Sequence, residues 1–203
     1  MTAPMQNPQQ HLGIDFGAKL AGTTAIAATV DGQLQVWQSQ PNEDADTFIL
    51  NISNQLNTKL IFIDAPLTLP SVYAQVQATP ASDFFFRAAD REVQAMSPLF
   101  IGGLTARAIR LRTLLAAQGV ALLETYPTQL VKLLFPHLNG YKKNAAALPA
   151  FAEALQHLLP FPLLEQPRNW HQFDGLLAWY SGYRHLRGEA HLYGDATEGR
   201  IIV

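Results

Sequence analysis

The chain has 203 residues, 48% of them hydrophobic, and a formal net charge of −2. That length suits one domain with an elaboration, and the apolar content is enough for a substantial core. The charge excludes the strongly basic profile of a nucleic-acid coat, and the absence of cysteine excludes a disulfide framework, a cysteine-ligated zinc site and a thiol nucleophile.

Residues 1–10 are polar and uncharged with two prolines, which reads as a flexible tail. They have neither the basic start nor the apolar run of a signal peptide. No apolar run is long enough to span a bilayer. The expectation is a soluble cytoplasmic protein that does not contact membrane.

The first strand, residues 12–17, is apolar and runs into Asp15 and Gly17. Small residues follow, from Gly22 through the run at 25–30, and Asp31-Gly32 signals a tight hairpin. Residues 33–39 alternate, so the first three strands read as an antiparallel meander. Residues 43–56 place Phe48, Ile49, Ile52 and Leu56 at helical spacing, with Asn42 as the expected N-cap. A second key strand follows, Leu60 to Asp64. A helical crossover lets this fourth strand run parallel to the first. Asp15 and Asp64 then end neighbouring strands about 4.8 Å apart. Two carboxylates at that spacing repel, and a divalent cation is the usual remedy.

Prolines at 66, 70, 80 and 98 mark an irregular insertion at about 66–102, with a short helix expected at 83–94. A clear helix covers 104–117 and is stopped by Gly119. The fifth strand, 120–123, delivers a third acid, Glu124. Helices are expected at 129–135 and 145–159, with Lys142 and Lys143 in the loop between them. Asn169 caps a last helix reaching about Leu186, which carries Asp174, and a small hairpin closes the chain. The aromatic residues of that helix, Trp170, Trp179, Tyr180 and Tyr183, read as core. His171 reads as a packing or surface residue.

The expected architecture is therefore a single α/β domain, 11–203, with a mixed five-stranded sheet flanked by helices. Asp15, Asp64, Glu124 and Asp174 converge in it. Hard oxygen ligands of this kind suit Mg2+ or Mn2+, and such ions serve phosphodiester hydrolysis without a protein nucleophile. Arg87, Arg91, Lys142 and Lys143 are the candidates for substrate phosphate; an internal ion-pair network of Arg87, Asp90 and Arg91 is the alternative, since Arg87 and Asp90 are one helical turn apart.

Several runs together carry a family resemblance: Gly13-Ile14-Asp15, Ile63-Asp64-Ala65-Pro66, Arg87-Ala88-Ala89-Asp90-Arg91, Glu124-Thr125-Tyr126-Pro127, Lys142-Lys143, Phe173-Asp174-Gly175, and the closing stretch at 198–203. The chain resembles the ribonuclease H-like superfamily and, within it, the family called domain of unknown function 429, whose members are predicted nucleases. The resemblance implies a ribonuclease H-like fold, a metal-dependent nuclease activity, the four acids as catalytic metal ligands, and DNA or RNA as the partner. Two departures stand out: Ala89 where the family often has cysteine, and Gly175 where it often has alanine. A non-catalytic module on the same scaffold is the main alternative reading. An actin- or sugar-kinase-like nucleotide binder is a weaker one, drawn from the small residues at 13–24. No feature of the sequence sets the oligomeric state.

Overall fold

The computed structural model describes residues 10–74, 79 and 82–203. The expected tail at 1–9 and Pro80 of the insertion lie outside the described residues. Among the described residues, no helix is long and apolar enough to cross a membrane.

The central sheet is built from β1 (His11–Asp15), β2 (Ala25–Val30), β3 (Gln33–Gln38), β4 (Leu60–Asp64) and β5 (Ala121–Glu124), in the order β3-β2-β1-β4-β5. β1, β2 and β3 pair antiparallel, whereas β4 runs parallel to both β1 and β5. This is the mixed sheet expected for a ribonuclease H-like fold. The β2–β3 turn takes the positive φ values, 49° at Asp31 and 78° at Gly32, that a tight hairpin following the strand twist requires.

Strand alternation divides the core into two layers. Leu12 and Ile14 of β1 and Ile61 and Ile63 of β4 face one side. There they pack against Ile49 of α1 (Ala45–Gln55) and Leu111 and Leu115 of α3 (Gly102–Ala116). Asp44 rather than Asn42 caps α1, accepting the amides of Asp46 and Thr47. Asn42 instead takes φ 69° in the preceding turn.

The opposite layer is α4 (Pro127–Leu134), α5 (Leu148–Gln156) and α6 (Trp170–Leu186), where Phe173, Leu176, Leu177 and Trp179 meet Leu130, Val131, Phe151 and Leu155. Gly13 lets α6 lie directly on the sheet: a Cβ there would fall 1.9 Å from the Trp179 amide nitrogen. His11 donates through Nε2 to the Trp179 carbonyl, 2.9 Å away, and fixes the same contact.

In the insertion, α2 is shorter than expected, Ala88–Val93. Asp83 belongs to a turn ahead of it, accepting the amides of Phe85 and Phe86. The hairpin of β6 (Leu192–Asp195) and β7 (Gly199–Ile202) straps this segment down. Glu198 accepts the amides of Ser71 and Ala88, and Ile202 bridges to Thr125.

Candidate metal centre

The register of the parallel pair sets Asp15 directly opposite Asp64. Both lie at odd positions relative to the Leu12/Ile14 and Ile61/Ile63 faces, so both point to the α6 layer. The close seat of α6 on Gly13 then brings Asp174 to the same strand ends. One carboxylate oxygen from each of Asp15, Asp64 and Asp174 lies within 4.8 Å of the others. Asp15 and Asp174 are buried and Asp64 is half-buried.

Each carboxylate but Asp64 has a visible holder. His171 Nδ1 lies 2.7 Å from Asp15 Oδ2. The Tyr141 hydroxyl donates to Asp174 Oδ1 at 2.6 Å. The Lys142 ammonium pairs with Asp174 Oδ2. Lys142 has φ 58° and follows Gly140 at φ 95°, so the loop backbone is bent into the left-handed region to deliver that side chain.

One ammonium does not balance three acids. Burial pushes the Asp64 carboxyl well above the ordinary range; Lys142 opposes this, while Asp15, Asp174 and Glu124 add to it. Burial likewise raises Asp174 to about 6, with Lys142 pulling down and Asp15 pushing up. Burial pulls the Lys142 ammonium down, but Asp174 and Asp64 outweigh it and hold it above its usual range. The hydrogen bond to Asp15 raises His171. Three hard oxygen donors with uncompensated negative charge fit a divalent cation of the magnesium or manganese type.

The fourth expected ligand stands apart from this group. Glu124 gives both oxygens to Arg87, Oε1 to Nη2 at 2.6 Å and Oε2 to Nη1 at 2.7 Å, and Oε2 also accepts the Leu67 amide. Burial raises its carboxyl, and Arg87 works against that. Arg87 is correspondingly held inside the protein. It is 1% exposed and also spends its guanidinium on Asp90 and Thr68. Arg91 is exposed and paired with Asp83 at 2.7 Å, with its guanidinium over the Phe86 ring. Lys142 belongs to the acidic group itself, and Lys143 is exposed in the same loop. Of the four expected phosphate-binding residues, therefore, Arg87 is a buried structural cation and Lys142 a partner of Asp174.

From the sequence His171 reads as a packing or surface residue and Tyr141 has no role, yet the structure sets both on carboxylates of this group. The three-residue step from His171 to Asp174 was the available signal, since it puts both on one helical face. Tyr141 had none, because it stands in an irregular loop.

Comparison with solved structures finds T. thermophilus RuvC in complex with Holliday junction substrate, at 15% identity and a TM-score of 0.44, covering 88% of this chain and 96% of that chain. No family model and no curated protein matches the chain.

Proposed function

We propose that this chain is a metal-dependent phosphodiester hydrolase of the nuclease type, a single ribonuclease H-like domain over 11–203 with an insertion at about 66–102. The narrower kinship with domain of unknown function 429 belongs to the same proposal. The observation that carries it is the meeting of Asp15, Asp64 and Asp174 oxygens within 4.8 Å. In this reading these three side chains hold Mg2+ or Mn2+, which activates water and neutralises charge on a phosphodiester when bound. His171 orients the Asp15 carboxylate, and the Tyr141 hydroxyl orients that of Asp174. Arg87 opposes the burial that raises Glu124 and holds this carboxyl in place behind Asp64. Lys143, exposed in the same loop as Lys142, is the remaining contact for substrate phosphate; Arg91 joins it only by leaving Asp83.

A specific observation favours a second reading, the non-catalytic module: the Lys142 ammonium already sits on Asp174, supplying positive charge without metal. Calorimetric titration with manganese separates the two. The hydrolase reading expects saturable binding that Asp64→Asn abolishes, together with manganese-dependent cleavage of an activated phosphodiester. Absence of manganese binding to the wild-type chain at neutral pH rejects it.

A further inference from the structure

Beside the carboxylates lies a cavity of about 260 Å³. Asp15 and Asp64 line it, with Asp90 and Glu124, which Arg87 holds, and Thr125; Phe16, Pro66, Met96, Ile101 and Leu104 add an apolar wall. A wall of this kind is unsuited to a sugar-phosphate backbone, whose groups need hydrogen bonds or cations. It suits a flat, weakly polar ring entered from the carboxylate end. The size is that of one base, smaller than the usual range for larger ligands, roughly 300–1,000 Å³.

The cations around the site point the same way. Binding to a nucleic-acid strand draws most of its strength from unpaired Lys and Arg that replace condensed counterions. Here Arg87 is committed to Asp90 and Glu124, Lys142 to Asp174, Arg107 to Asp46 and the Gly17 carbonyl, and Arg91 to Asp83. Each would have to break an existing pair to serve a phosphate, whereas exposed Lys143 would not, so a strand would find few ready cations at this end of the sheet. The chain as a whole carries −2. A long polyanion therefore gains little, whereas a single phosphate held at the acidic end needs only the metal charge.

We infer that the site takes a phosphodiester of mononucleotide size, one nucleoside joined through its phosphate to a small group, with the phosphate at Asp15, Asp64 and Asp174 and the aromatic base against the apolar wall of Phe16, Met96, Ile101 and Leu104. The inference rests on the metal-site reading above and narrows its substrate from nucleic acid to a small nucleotide. It makes Met96 and Ile101 the residues that read the base. Met96 is 60% exposed at the rim and Ile101 is half-buried, so neither is a core support for the fold.

The test is equilibrium binding to the manganese-loaded protein, with thymidine 5′-monophosphate compared against methyl phosphate and against oligothymidylate. Burial of one base ring is expected to make the nucleotide bind about tenfold tighter than methyl phosphate. Ile101→Trp, which fills the cavity, and Met96→Ser, which strips its rim, are each expected to erase that preference, with the manganese affinity of each variant as the control for an intact site. Equal binding of nucleotide and methyl phosphate overturns the inference, as does a preference that survives in both variants. Tighter binding of oligothymidylate with a steep salt dependence overturns it in favour of a strand. A wild-type chain that takes up no manganese instead removes the metal-site reading itself, before any of these comparisons is reached.

Discussion

Asp64 is costly where it stands. No hydrogen bond to its carboxylate is seen among the described residues, and burial holds its pKa well above the ordinary value. A carboxyl raised in the folded state binds more protons there than in the unfolded chain, so its contribution to stability falls as pH rises past the unfolded pKa. Asp174 follows the same sign over the window from 3.8 to about 6. Without metal, Asp64→Asn should therefore melt higher than wild type at pH 7, by roughly 3 °C per kcal/mol relieved, and close to it at pH 4. Calorimetric scans of both proteins in chelator across that range check this; a difference that fails to grow with pH contradicts it. Manganese should raise the wild-type melting temperature and leave the variant unmoved. His171 adds a smaller effect of its own. Raised by Asp15, it stabilises fully below the unfolded histidine pKa and loses that contribution as pH rises through the folded one. His171→Ala should weaken manganese binding by about 10- to 100-fold, as loss of a ligand-orienting partner does, while the fold remains.

At the scale of elements, the site depends on how closely α6 approaches β1. Gly13→Ala puts a methyl group onto helix backbone at Trp179 and Gly175, which neither can yield easily. A loss of roughly 3 kcal/mol is expected, read by urea denaturation, with manganese affinity falling because Asp174 is displaced. Gly175 is more forgiving, since a Cβ there would sit 3.3 Å from the Ala25 carbonyl oxygen. Arg87 does the equivalent work for the insertion. Arg87→Ala should cost about 3–5 kcal/mol by leaving Glu124 and Asp90 as uncompensated buried charges. The meander, the crossover and the pairing of Asp15 with Asp64 were legible because period-two patterns and turn residues are local signals. The Arg87–Glu124 pair was not, because it joins an aperiodic insertion to a strand end 37 residues away. The same holds for Tyr141 on Asp174. Asn42 misled for a simpler reason: Asp44 lies two residues on, and the chain uses Asn42 for a turn before the helix begins.

For the whole molecule, the sheet joins near and distant stretches of chain at one edge. The hairpin of β6 and β7 reaches back to the insertion through Glu198, holding Ser71 and Ala88. Glu198→Gln keeps the shape but turns one of the two accepting oxygens into an NH2 group, which cannot accept from Ser71 or Ala88, and removes the charge that strengthens the other bond. It should lower stability by about 1 kcal/mol and raise hydrogen exchange at the Ser71 and Ala88 amides, with little change in the strands. His171 and Asp15, which meet at the centre, are 156 residues apart. Closing so wide a loop is slow and comes after local structure. On the proposed reading, manganese capture is thus a clock for folding: in stopped-flow refolding it should appear only with the last phase, when α6 docks. A chain stalled earlier would hold two acids of the three, and would stay silent to metal until its two distant halves had met.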